Sequence, residues 1–377
     1  MSPDQIPLGV YTHLNYAFVS VDPTTYRIVD MDSFTGTLYK QVSSLKLKNP
    51  GLEVWVSVGG WSFNDPGPTA NTFSTLARDT SAQQAFFASL ISFMVNNDFD
   101  GVDLDWYDLG PFKPFTPRAI NLRAAMNGSG YKFGLSITLP SSYWYLRGFD
   151  IVAIDPIVDF LNIMTYDLHG TWDGTDPYIG AVALAHTNLT EIQQSLDLLW
   201  RNNINPSKVN LGIGFYGRSF TMSNPNCLAA GCPFSGGANP GRCTQTSGIL
   251  SAAEIREIVA SGQANVVTDP VAGVQIITWG GNQWVSYDDE ATLKMKVDFG
   301  NKFCLGGMLI WAVDLDDLDG TSINALADAM GKPRSKVYNV DGVNFGLTSD
   351  LGDGATTQAV AARRRGLSPP GRYMPRS

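Results

Sequence analysis

Residues 100–108 read DGVDLDWYD, from Asp100 to Asp108. Asp103 and Asp105 alternate with Val102 and Leu104, so on an extended chain the carboxylates share one face and the aliphatics take the other. With Phe99, Val102, Leu104 and Trp106 the run is too apolar for a solvated loop. Burying two neighbouring carboxylates is costly unless they are hydrogen-bonded or protonated, so the pair marks a polar site at a strand end.

On either side of this stretch, short β-branched runs alternate with longer helical patterns, the signature of a parallel sheet wrapped by helices. Seven barrel-type strands are expected at 13–19, 53–58, 101–106, 134–139, 160–166, 209–215 and 307–313. Helices are expected over 34–48, 82–96, 118–126, 191–202, 252–260 and 291–299. A closed barrel of this kind needs about eight strands. From Ser219 to Ala291 the alternation gives way to a Gly-rich loop and β-like segments around 274–279 and 283–287. We expect a small α+β insertion (219–291) within a barrel domain of residues 1–330. Residues 331–377, which include Arg363-Arg364-Arg365, lack apolar periodicity and are expected to form a disordered tail.

With 377 residues, 44% of them apolar, the chain has the material for a large core. A net charge of -9 disfavours nucleic acid and anionic membranes as partners but suits a neutral polymer. No apolar run is long enough for a membrane helix, and no signal peptide is expected from MSPDQIPLGVYTHLNYAF. Cys227, Cys232 and Cys243 lie in a Gly/Pro/Asn/Ser-rich segment that looks disulfide-stapled, with Cys304 further on. The sequence does not choose among the possible pairings, and without CxxC spacing or a His companion no metal site is expected. Asn127-Gly-Ser129 and Asn188-Leu-Thr190 are glycosylation sequons of low specificity.

The 100–108 stretch resembles the fourth barrel strand of family 18 glycoside hydrolases, the chitinases, whose pattern is DGxDxDWE. Asp100, Gly101, Asp103, Asp105 and Trp106 match it, but Tyr107 stands where the family places its catalytic glutamate. Further motifs resemble the family in the right order: SVGGW (Ser57–Trp61), MTYD (Met164–Asp167), FYGRSF (Phe215–Phe220) and IWAVDLDD, with Trp311. The resemblance covers about residues 5–330, is strongest to secreted fungal chitinases, and implies an α/β fold, a (β/α)8 TIM barrel whose first strand would precede residue 1 here. The segment after Trp106 looks shortened relative to the family.

By the same resemblance the partner is chitin or its oligosaccharides, the protein is an extracellular monomer, and neither cofactor nor metal is needed. Gly60, Trp61, Trp106, Met164, Asp167, Tyr216, Arg218 and Trp311 would bind substrate. Tyr166 would bond the acetamido group, Asp167 the sugar hydroxyls, and Trp311 would floor the sugar subsite. Tyr216 and Arg218 are expected at the end of the seventh strand. The family hydrolyses β-1,4-linked N-acetylglucosamine with retention, using the substrate's own acetamide oxygen as nucleophile, so one proton donor suffices. Asp105 would orient the acetamide and share a proton with Asp103. Tyr107, a phenol titrating near about pH 10, is a poor acid at neutral pH. Asp108 is a possible substitute, yet in extended chain it points to the opposite side. Two readings follow: a chitinase of weak or absent activity, or a chitin-binding lectin on an enzyme scaffold. A small-molecule enzyme on the same barrel is a more distant third.

Overall fold

All seven apolar runs expected to be strands form strands in the computed structural model, which describes residues 1–76, 78–105 and 116–335. Trp106, Tyr107, Asp108 and, from residue 336 onward, the expected tail lie outside the described residues. The chain forms two compact units, Met1–Leu161 with Asn202–Ile204, and Asn162–Arg201 with Asn205–Ser335.

In the first unit, strands β1 (His13–Val21), β2 (Ile28–Val29), β3 (Glu53–Gly59), β4 (Gly101–Asp105) and β5 (Gly134–Pro140) lie in the order β2-β1-β3-β4-β5. All pairings are parallel except the two-residue antiparallel contact of β2 with β1. Every residue of β4 is buried, as expected for a parallel strand covered on both faces. The helix Thr80–Asn97 buries Ala82, Phe86, Leu90 and Met94, spaced by four so that they fall in one stripe. Asp79 caps its start, accepting from the Ser81 and Ala82 amides at 2.7 and 3.0 Å. The helix expected over 34–48 is a short α turn, Tyr39–Ser43, between two 3₁₀ turns.

The glycine of the DGVDLDW motif has a packing reason. The Trp55 indole is 2% exposed and lies against Gly101 and Gly134, where an added Cβ would sit 2.6 and 1.9 Å from ring atoms. Asp100 ties the same corner together: its carboxylate accepts from the Val54 amide at 2.8 Å and from Lys46 Nζ at 2.9 Å.

The second unit contains most of β6 (Phe160–Met164), together with β7 (Val209–Gly214) and a six-stranded antiparallel sheet. The strands of that sheet are β8 (Tyr216–Met222), β9 (Phe234–Gly237), β10 (Ile249–Ser251), β11 (Asn265–Asp269), β12 (Val274–Trp279) and β13 (Gln283–Tyr287). Strand β14 (Gly307–Trp311) returns to pair in parallel with β7. Strand alternation gives the antiparallel sheet two apolar faces. Phe220, Met222, Ile276 and Trp284 line one, Ile277, Val285 and Tyr287 the other, where the helix Ala252–Ala260 contributes Ile255. Lys296, fully buried, is neutralised by Asp288 and donates to the Gly273 carbonyl at 2.7 Å.

Cys227 and Cys232 form a disulfide with their Cα atoms 5.6 Å apart, whereas Cys243 and Cys304 are free. The stapled segment is therefore shorter than the spacing of three cysteines suggests. What holds Cys243 is its amide, which donates to Glu254 Oε1 at 2.6 Å.

Two outcomes follow from this packing. Gly134→Ala should drive a methyl into the Trp55 ring and cost about 1–3 kcal/mol, read as a lower urea midpoint at unchanged m-value; an unshifted midpoint would show that the indole moves freely. Denatured without reductant after folding under oxidising conditions, the chain should titrate two thiols, and a count of none or four would contradict the pairing.

Candidate functional site

The polar face of β4 is built by its neighbours. Register sets Asp103 between Ser57 of β3 and Ser136 of β5, and Asp105 between Gly59 and Thr138. Three hydroxyls donate to the buried Asp103 carboxylate: Ser136 at 2.6 Å, Thr138 at 2.9 Å and Ser57 at 3.3 Å. A carboxylate 3% exposed is stable only with such partners, and hydroxyls on both flanking strands supply them without bulk. Asp105 is also buried, and its carbonyl accepts the Gly60 amide at 2.8 Å. This close approach explains the glycines of SVGGW. Gly59 has φ +113 and a Cβ there would lie 2.1 Å from the Asp105 carbonyl oxygen, while at Gly60 (φ +87) it would lie 2.9 Å from the Phe18 ring. Trp61 follows, half-buried, its ring edge-on to Tyr145 with centroids 6.2 Å apart.

In the second unit the charged centre is Asp167, just beyond β6. Arg218 grips it with two bonds, Nε to Oδ1 at 2.7 Å and Nη2 to Oδ2 at 2.6 Å, and the Tyr216 hydroxyl donates to Oδ1 at 2.6 Å. Burial alone would push the carboxyl up, but the guanidinium outweighs it and holds Asp167 well below the usual carboxylate range. Burial pushes the Tyr216 phenol well above its ordinary value, so it remains a donor. The Asp167 side chain keeps 32% exposure, against 6% for Arg218, so the carboxylate is the part of the pair that meets solvent. Tyr216 and Arg218 do not end the seventh strand. They begin β8, with only Phe215 between it and β7, and alternation puts both on one face. Two glycines of β7 make room: a Cβ at Gly212 would lie 2.9 Å from the Tyr166 ring, and at Gly214 2.9 Å from the Tyr216 ring. Tyr166 is buried and edge-on to Tyr216 at 6.2 Å. Met164 ends β6 and Trp311 ends β14, both half-buried.

Residues not singled out from sequence complete this centre. Trp172 lies beneath the Arg218 guanidinium, 4.7 Å from ring centroid to Cζ. His186, 0% exposed, accepts the Asp167 amide on Nδ1 at 3.3 Å. His169 bridges two carboxylates, Nδ1 to Asp173 and Nε2 to Glu191, each at 2.8 Å. Burial lowers the His169 affinity for its proton, but the hydrogen bonds to both carboxylates outweigh this and push its pKa up to about 9. This charged bridge ties the Trp172 turn to the first turn of the helix Leu189–Trp200. Among the described residues no group of three or more His, Cys, Asp or Glu side chains could hold a metal ion.

These observations agree with what the chain resembles. The family model for glycosyl hydrolases family 18 matches residues 2–316, and the chain belongs to that family. Its fold class is that of the family, α/β of the (β/α)8 barrel type. A secreted chitinase of Penicillium expansum, LysM12, is 30% identical over 338 residues, 83% of this chain and 22% of its own length. The chain thus spans about a quarter of the length of the curated relatives it matches. Among solved structures, the Ostrinia furnacalis Group IV chitinase is 25% identical with a TM-score of 0.77, over 88% of this chain and 95% of that one. Human YKL-39, described as a pseudo-chitinase with retained chitooligosaccharide binding properties, is 25% identical with a TM-score of 0.79, over 88% and 94%.

The His169 bridge gives a pH signature. A histidine raised from its unfolded value near about 6.5 to about 9 contributes stability that is fully present below about pH 6.5 and is lost as pH rises through about 9. The melting temperature should fall over that window, by a change worth up to about 3 kcal/mol, and His169→Gln should flatten the fall. Equal slopes in the two proteins would show that the bridge is not charged.

Proposed function

We propose that this protein binds chito-oligosaccharides, chains of β-1,4-linked N-acetylglucosamine, and that its hydrolytic step is lost or greatly weakened. The observation that carries the reading is the Asp167 centre: an ionised carboxylate, oriented by Arg218 and Tyr216 and with its side chain 32% exposed, can accept hydrogen bonds from sugar hydroxyls. Trp61 in the first unit and Trp311 in the second are each half-buried, with apolar faces of the kind sugar rings stack on. Against this intact binding chemistry, Tyr107 occupies the position of the family's proton donor. General acid catalysis contributes about 10²- to 10⁴-fold, so without the donor little turnover remains while ground-state contacts persist. The pseudo-chitinase among the structural neighbours, by its description, combines the same two properties. The net charge of -9 and the names of the secreted relatives support a neutral polymer as ligand and an extracellular location, and we take the protein to act as a monomer.

A second reading, retained hydrolysis, draws support from β4. Asp103 keeps three hydroxyl donors and Asp105 remains buried beside it, a polar face with no packing purpose of its own. Asp108 would then have to replace the missing glutamate.

The two readings separate in one experiment. Titration calorimetry with a chito-oligomer should show binding by the unmodified chain with little dependence on salt, and hydrolysis of the same oligomer should be undetectable or slight. Tyr107→Glu should raise turnover more than it changes affinity. Robust hydrolysis by the unmodified chain, abolished by Asp108→Asn, would establish the second reading. No binding by a well-folded sample would refute the first.

A further inference from the structure

Asp167 is a non-glycine residue with φ +58, in the left-handed region that side chains avoid at a cost. Such a backbone persists only where its surroundings over-determine it. The Arg218 and Tyr216 bonds fix the carboxylate, but they do not fix the peptide that carries it. Among the described residues, the peptide is held from the other side by His186.

His186 lies in the buried run 185–187 and makes two bonds to consecutive amides. The Asp167 N–H donates to its ring Nδ1 at 3.3 Å and the Leu168 N–H to its main-chain carbonyl at 3.1 Å. The other ring nitrogen, Nε2, lies 3.1 Å from the Tyr216 carbonyl oxygen. A carbonyl only accepts, so Nε2 carries the proton. An amide N–H only donates, so Nδ1 carries none. The two contacts therefore specify one tautomer of a neutral ring.

His186 is itself anchored. Its amide donates to the Ser286 hydroxyl at 3.4 Å, and the next residue, Thr187, donates to Asp288 at 3.2 Å, the same carboxylate that neutralises the buried Lys296. Its ring tilts over Tyr216 with centroids 4.9 Å apart, and Gly214 leaves the space, since a Cβ there would lie 3.2 Å from the imidazole. Four titratable groups face the ring: the Asp167 carboxylate with Oδ1 3.7 Å from Nδ1, Arg218 paired to it, the Tyr216 phenol and Asp288. Burial outweighs the attraction of the carboxylates and lowers the affinity of the ring for a second proton.

We propose that His186 is the positioning residue of the Asp167 centre: through an unprotonated Nδ1 it holds the Asp167 peptide left-handed, which presents the carboxylate to ligand while Arg218 neutralises it. Its link to ligand affinity rests on the carbohydrate reading above; its role in setting the Asp167 backbone does not. The Tyr216 carbonyl on one ring nitrogen and the Asp167 amide on the other couple β8 to the turn after β6, so the hydroxyl donor and the carboxylate it bonds are set by the same imidazole.

The chain has three histidines, which makes the test direct. In ¹⁵N spectra of the imidazoles at neutral pH, His186 should show its proton on Nε2 and none on Nδ1, whereas His169 should be charged, with a proton on both nitrogens. A proton on Nδ1 of His186 would overturn the proposal. His186→Gln can keep one acceptor and one donor and should leave the Asp167 amide resonance and chito-oligomer affinity close to those of the parent. His186→Phe should shift that resonance and weaken binding by about tenfold or more, at a melting temperature that shows a folded protein. Unchanged Asp167 resonance and affinity in the Phe variant would also overturn it. Should the Phe variant fail to fold, the tautomer and the Gln variant decide. Absence of binding by the parent would count against the carbohydrate reading alone, since the spectra report on the ring and the peptide without ligand.

Discussion

A guanidinium that is almost wholly removed from water must have a counter-charge, and Arg218 has one in Asp167. The constraint runs in both directions. Removing Asp167 would strand the buried Arg218 charge, a loss of about 3–5 kcal/mol in comparable pairs, and the two-bond grip keeps the carboxylate both ionised and fixed in direction. Around this pair the second unit is arranged: Trp172 under the guanidinium, the Tyr216 hydroxyl on one carboxylate oxygen, His186 behind the peptide, glycines in β7 where the rings need space. His169, charged between Asp173 and Glu191, holds the turn that delivers Trp172. What remains accessible is an anionic acceptor, which suits the hydroxyl recognition proposed for it.

The first unit solves a related problem differently. Asp103 draws on hydroxyl groups. It is satisfied by three hydroxyls from the strands on either side of β4, and the strands meet there because Gly59, Gly60, Gly101 and Gly134 allow backbone and indole to approach. On the reading proposed above, this polar strand face is a remnant or a working part of a catalytic strand, and the residue at position 107 is what distinguishes the two. Its side chain is a phenol, so the burden placed on it in the family's reaction is one it cannot carry near neutral pH.

Much of this was legible in the sequence, and the reasons differ by element. Parallel strands buried on both faces are continuous apolar runs, so GLSITL and VNLGIGF could be placed within a residue or two. The antiparallel strands were harder. β9 is FSGG, β10 has three residues, and β11 is exposed along most of its length, so none carries a full period of alternation. Tyr216 and Arg218 were read as the end of the preceding strand because one residue, Phe215, separates β7 from β8 and no turn signal marks the change. Of the site, the motif residues could be named from order and spacing. His186 could not: one histidine in VALAHT has no periodic or motif context, and its meaning comes from hydrogen bonds to residues 19 and 30 positions away. His169 and Trp172 were missed for the same reason, since their partners Glu191 and Arg218 are distant in sequence.

Arg218→Lys is the variant that tests whether Arg218 orients Asp167 for a sugar ligand. Lysine preserves the charge but cannot reproduce the planar two-bond grip. Calorimetric titration of the parent and the Lys variant with the same chito-oligomer should give measurable binding by the parent and an affinity lower by about tenfold or more in the variant, which should remain folded. Equal affinities in the two proteins would mean that the oriented carboxylate is not what the sugar meets.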